Sequence, residues 1–214
     1  MDSQALKTVL RLGVTVLISC LLGACNKQEA ELPYYNSPDL TPVWEQGSGK
    51  HRIADFAFTD QNGKTVDNNT YNGKIYVANF FFTSCPGICP KMKDNMQKVA
   101  KAFASNNNVA FLSHSVTPYA DSVSVLHDYA AIHNINAKQW HLVTGDKGEI
   151  YKLARQSYFA EDEIGFNADS TEFLHTERFV LIDKERHIRG VYNGTVDLET
   201  DRLIEDINLL LKEE

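Results

Sequence analysis

The sequence predicts a layered α/β domain, and three observations carry that prediction. From Ile53 to Leu211, short apolar runs of strand length alternate with amphipathic stretches of helical spacing. One run, Ile75 to Phe82, is apolar almost throughout, as a central strand covered on both faces must be. Hydrophobic residues make up 43% of the 214-residue chain, enough to fill a core of ordinary domain size.

The first residues are read as an export signal rather than as fold. Lys7 and Arg11 supply a short basic region, and the apolar run Leu12 to Leu22 has signal-peptide length, too short for a helix that spans a bilayer. It ends in Leu22-Gly23-Ala24-Cys25, which resembles a bacterial lipobox, where the cysteine is lipidated and becomes the first mature residue. An ordinary secretory signal cut after Ala24 is the plainer alternative. The expected organisation is a lipoprotein signal peptide over 1–24, a lipidated tether over 25–50 and the domain over 51–214, held at the periplasmic side of a bacterial membrane. The tether carries Pro33, Pro38, Pro42, Gly47 and Gly49 among polar residues, and part of it is free to pack on the domain.

Within the domain, Ile53 to Phe58 alternates like a strand, and Asn62-Gly63 marks a turn into Lys64-Thr65-Val66, giving a hairpin extension at the N-terminal end. Ile75 to Phe82 follows. Residues 89 to 105 show helical spacing through Met92, Met96, Val99 and Phe103. Val109 to Val116 is a strand, 121 to 133 a helix, Trp140 to Thr144 a strand and 146 to 157 a helix. After a polar insertion (Glu161 to Thr171), Arg178 to Asp183 and Ile188 to Tyr192 form a hairpin, and Leu198 to Leu211 closes as an amphipathic helix. A central mixed sheet flanked by helices in this order is what a thioredoxin-like fold produces.

The net charge of −7 argues against a nucleic-acid partner, which needs clustered cations. The chemistry points to Phe82-Thr83-Ser84-Cys85-Pro86-Gly87-Ile88-Cys89-Pro90. With Cys20 in the signal and Cys25 lipidated, Cys85 and Cys89 are the cysteines left to an oxidising compartment. A disulfide across so small a loop removes little unfolded-state entropy, so chemistry is favoured over stapling. Proline is tolerated in a helix only within the first turn, which places Cys85 in the loop and Cys89-Pro90 at the helix start. Both thiols are then expected to lean toward thiolate, the form that binds metal or attacks disulfides.

Three residues separate the cysteines where a thioredoxin-type dithiol has two, leaving room for one soft ion without forbidding a disulfide. Two thiolates and one imidazole form a set that holds Cu(I) or Cu(II), whereas structural zinc usually wants a fourth ligand. Thiol–disulfide enzymes of this fold carry a cis-proline before the strand that opens the last hairpin. No proline follows Pro118 here, and that place is occupied by His175 in Phe173-Leu174-His175-Thr176-Glu177.

On these residues the chain resembles the Sco/SenC family. Its CPxxCP signature matches Cys85 to Pro90, its downstream histidine matches His175 before Phe179-Val180-Leu181-Ile182-Asp183, and Ile188 to Gly194 resembles its following strand, over roughly residues 51 to 212. The resemblance implies a metallochaperone rather than an enzyme. It would hold one copper through Cys85, Cys89 and His175, for delivery to the dinuclear copper A centre of cytochrome c oxidase or exchange with another copper carrier. A tethered thiol–disulfide reductant, acting through a redox-active Cys85–Cys89 pair on the oxidase cysteines, is the alternative. Two departures stand out. Thr117-Pro118 replaces the family's frequent Asp-Pro pair, putting in doubt a supporting carboxylate there, and the last hairpin turn lacks its common glycine. A peroxidase reading is disfavoured, because that class resembles a threonine three residues before its reactive cysteine and this chain has Phe82. Met92 and Met96 are read as core, His51, His127, His133, His141 and His187 as structural or solvated, and Glu161, Asp162, Glu163 and Asp169 as a solvated loop. His114 is the one further histidine near the site end of the sheet.

Overall fold

The computed structural model describes residues 31–44, 49–160 and 176–213. Its elements are β1 (Tyr34–Tyr35), β2 (Pro42–Val43), β3 (Ala57–Asp60), β4 (Thr65–Asp67), β5 (Ile75–Phe81), α1 (Cys89–Ala102), β6 (Val109–Ser115), α2 (Val123–Ile132), β7 (Trp140–Thr144), α3 (Lys147–Gln156), β8 (Arg178–Ile182), β9 (Ile188–Asn193) and α4 (Asp197–Leu210). No helix among the described residues is long and apolar enough to cross a membrane.

Seven strands form a mixed sheet in the order β4-β3-β7-β6-β5-β8-β9, with β5–β6 and β6–β7 parallel and the other pairings antiparallel. Every residue of β5 is buried, which explains an apolar run broken only by Asn79: odd positions (Ile75, Val77, Phe81) face one core and even positions (Tyr76, Ala78, Phe80) the other. The first core receives Met92, Met96 and Val99 of α1, Leu126 of α2 and Leu203 and Ile207 of α4. The second receives Ile150, Tyr151 and Ala154 of α3, with Phe58 and Val66. Met92 and Met96 therefore fill core, as their helical spacing predicts.

Two local departures have clear causes. Strand β3 begins at Ala57 instead of Ile53, because upstream backbone donors are taken elsewhere: the Ile53 N–H donates to Arg186 O (2.9 Å), Ala54 N–H to Ser157 Oγ (3.2 Å) and Phe56 N–H to Asn68 Oδ1 (2.8 Å). The turn between β8 and β9 manages without glycine by placing Arg186 at φ 74°. The Asp183 carboxylate fastens that turn, accepting the Glu185 and His187 N–H groups at 2.9 Å each. At the β3–β4 turn, Gly63 (φ 74°) takes the same left-handed conformation without a side-chain penalty.

The stretch assigned to a tether is, over residues 31–44, folded onto the domain. Arg189 on β9 is 3% exposed, donates to the carbonyls of Leu32 (2.7 Å) and Pro33 (3.2 Å), and forms a two-pronged pair with Glu213 (2.7 and 3.1 Å). The Tyr34 ring carries two cations, the Arg189 guanidinium at 4.2 Å and Lys50 Nζ at 3.5 Å.

Candidate metal centre

The cysteine loop leaves the end of β5 and enters α1 at Cys89, with Ile88 as N-cap and proline in the opening positions. No side chain caps this helix, so its first N–H groups are free to face the loop. Cys85 takes them up. Its Cys85 N–H donates to Phe82 O (3.3 Å), and its half-buried sulfur accepts from Cys89 Sγ and from the backbone N–H groups of Cys89, Gly87 and Ile88.

The two thiols differ, which corrects the expectation that both lean toward thiolate. Burial alone would raise Cys85, but the hydrogen bonds from Cys89 and from the helix N-terminus outweigh it and hold the thiol below its ordinary value. Cys89 is 7% exposed, in the core beside Met92 and Phe81. Burial first, then its hydrogen bond to Cys85, pushes it up to about 12. A helix terminus stabilises charge in front of its N–H groups, not on a side chain that runs back into apolar packing. The pair therefore presents one sulfur ready to act and one that keeps its proton until a partner takes its place.

A carboxylate that sequence reasoning missed supports this loop. Asp121, 1% exposed, accepts from Thr83 Oγ1 (2.6 Å), Thr83 N–H (3.3 Å), Ser115 Oγ (2.6 Å) and Thr117 Oγ1 (3.0 Å). Thr117, where the family pattern has aspartate, is thus a donor to a carboxylate supplied four residues later. In the sequence Asp121 reads only as the residue before the Ser122 N-cap of α2, a signal for a helix start and nothing more.

His175 lies outside the described residues, as do Cys25 and the acidic residues Glu161, Asp162, Glu163 and Asp169. Among the described residues no three His, Cys, Asp or Glu side chains gather as a metal site. The antiparallel register Tyr76↔Ile182, Val77↔Leu181, Ala78↔Val180 brings the start of β8 to the end of β5 that bears the cysteine loop. There the Glu177 carbonyl accepts the Gly194 N–H (2.7 Å), while Asn95 of α1 donates to Gly194 O (2.9 Å), so the base of β8 and the cysteine helix share one anchor. A Cβ on Gly194 would meet the Phe179 ring at 2.7 Å, so that approach requires glycine.

Most of the described histidines have structural contacts, and one is solvated. His51 meets Ser157 O (2.7 Å), His141 pairs with Asp60 (3.3 Å), His187 with Asp183 (3.2 Å), and His133 packs on Tyr129. His127 sits exposed beside Asp128. His114 is fully buried on the core face opposite α1, stacked on Phe80 and edged by Phe56 and Phe58, with neither ring nitrogen partnered among the described residues.

A sequence model of the SCO1/SenC family matches residues 45–212. The chain belongs to the SCO1/SenC family. It is 30% identical over 159 residues to the SCO1 protein homolog of Bacillus subtilis, covering 73% of this chain and 81% of that one. Its fold superposes with a TM-score of 0.65 on BsSco, described as a member of the Sco family of cytochrome c oxidase assembly proteins with a disulfide switch, at 26% identity over 77% of this chain and 96% of that structure. Arabidopsis thaliana ScoI, solved with copper bound, gives a TM-score of 0.57 at 26% identity over 72% of this chain and 97% of that structure. The thioredoxin-like fold expected from the order of elements is the fold these Sco structures share with this chain.

Proposed function

We propose that this protein is a copper metallochaperone that holds one copper ion through Cys85, Cys89 and His175 and serves assembly of the copper A centre of cytochrome c oxidase. The observation that carries the reading is the pair of hydrogen-bonded sulfurs at the start of α1, with Cys85 biased toward thiolate. Thiolates are the ligands a soft ion selects. The copper-bound Arabidopsis relative and the oxidase-assembly description of BsSco support the same chemistry. His175 enters from sequence, two residues before Glu177, whose carbonyl is anchored to the same turn as α1. A half-exposed Cys85 suits cargo that must leave, since an incoming thiolate can reach the metal from the solvent side. The lipid anchor on Cys25 and a periplasmic location complete the proposal, and a Cys25→Ser variant is expected to lose membrane association.

Copper titration of the reduced domain is the test. One equivalent per chain with a thiolate-to-Cu(II) charge-transfer band is expected, lost in Cys85→Ser and Cys89→Ser and shifted or weakened in His175→Ala. Saturation that is unchanged by His175→Ala refutes the ligand set.

A second reading has its own support. One thiol lowered and its neighbour raised is the arrangement of an attacking and a resolving cysteine, as a thiol–disulfide reductant needs. Full oxidase assembly in a His175→Ala strain would favour it.

A further inference from the structure

The cysteine loop is held from a distance by one buried carboxylate. The Asp121 carboxyl group has no cationic partner among the described residues, and its two oxygens collect four donors. The Thr83 N–H and the Ser115 and Thr117 hydroxyls meet Oδ2 and the Thr83 hydroxyl meets Oδ1, so hydrogen bonds instead of an ion pair hold the carboxyl group. Ser115 and Thr117 are local, within six residues of Asp121, and close the β6–α2 connection on itself. The Thr83 arm is different: it spans 38 positions and ends two residues before Cys85, where β5 has finished and α1 has not begun. Among the described residues no other side-chain hydrogen bond ties Thr83, Ser84 or Cys85 to a neighbouring strand. Ser84, Pro86 and Gly87 are exposed, and the backbone bond from Cys85 to Phe82 is long at 3.3 Å.

We propose that Asp121, acting through Thr83, is the positioning residue for Cys85, holding its sulfur beside Cys89 so that a bridge, metal or disulfide, closes with less loop ordering than an untethered loop would need. This rests on the reading of Cys85 and Cys89 as the working pair. A loop tethered at Thr83 has already lost the freedom that bridge formation would otherwise remove. Cutting the tether lowers the equilibrium constant for either kind of bridge. In the disulfide case, Cys85 and Cys89 give up two protons and two electrons to glutathione disulfide, which leaves as two glutathione thiols, so the constant is read directly from a glutathione buffer.

Thr83→Val removes the hydroxyl while keeping the shape and the backbone N–H, and Thr83→Ser restores it. In the metal-free domain, Thr83→Val is expected to lower the disulfide-forming constant roughly threefold to tenfold, tenfold being about 30 mV for a two-electron couple. Thr83→Ser is expected to stay within about twofold of the parent, on the same scale. Asp121→Asn is expected to shift the constant in the same direction and further; should that variant not fold, the threonine pair decides alone. A purely structural tether would lower the unfolding midpoint of Thr83→Val and leave the thiol equilibrium where it was, and that result overturns the proposal. So does a shift that Thr83→Ser fails to reverse. Copper uptake by the parent domain is measured alongside: copper bound with an unmoved thiol couple rejects the positioning role alone, whereas a moved couple in a domain that takes up no copper rejects the chaperone reading alone.

Discussion

His114 should make this domain acid-sensitive by an amount that one substitution removes. The imidazole is fully buried among Phe56, Phe58 and Phe80 and finds no partner for either nitrogen among the described residues, so burial drives its pKa down from 6.5 to about 3. A depressed histidine is neutral in the native state at every pH above about 3, while the unfolded chain takes up a proton as pH falls through 6.5. Stability is therefore complete above pH 6.5 and declines below it, at about 1.36 kcal/mol per pH unit until the native ring also titrates. At pH 5, one and a half units below the unfolded value, the loss is about 2 kcal/mol. At pH 5 the native ring, about two units above its own value, is essentially unprotonated, so the unfolded chain alone sets the loss. His114→Phe keeps an aromatic ring in the stack and removes the titration. Urea unfolding of both proteins at pH 8 and pH 5 is the assay, and the difference of differences cancels any packing cost of the new ring. The parent should lose about 2 kcal/mol more than His114→Phe between the two pH values. Parallel losses in the two proteins would refute the account of an orphaned, neutral imidazole.

Other consequences are equally open to measurement. Because Cys89 is raised to about 12, it is protonated at neutral pH and must release that proton to bind as thiolate. Copper affinity should therefore rise with pH, between about one and two decades per pH unit around neutrality, and a flat profile from competition titrations would rule out binding through both sulfurs. Arg189→Leu leaves the Leu32 and Pro33 carbonyls and Glu213 without their donor; the domain should lose about 2–4 kcal/mol by urea unfolding, with new proteolytic cleavage between residues 31 and 44. A loss under about 0.5 kcal/mol would mean the clamp does not hold that segment. Arg186→Gly relieves a left-handed φ of 74° at the expense of one exposed pair with Asp55, so thermal unfolding should show a gain of up to about 1 kcal/mol and no loss.

What could be read from the sequence is what short windows encode. Pro90 fixes where α1 can begin, and α1 does begin at Cys89. The nearly continuous apolar run from Ile75 announces a strand covered on both faces, and Trp140 to Thr144 carries its own boundaries. The candidate dithiol was legible for the same reason, since its cysteines and prolines lie within six consecutive residues. Only the tertiary structure decided that Asp121 reaches Thr83 across 38 positions, that Arg189 gathers Leu32, Pro33 and Glu213, and that Cys85 and Cys89 meet opposite environments. Backbone propensity and side-chain periodicity act over a few residues and leave a local trace. Burial and hydrogen-bond partnership are set by which surfaces the sheet order brings together, and a buried carboxylate or a raised thiol looks in the sequence like any other aspartate or cysteine.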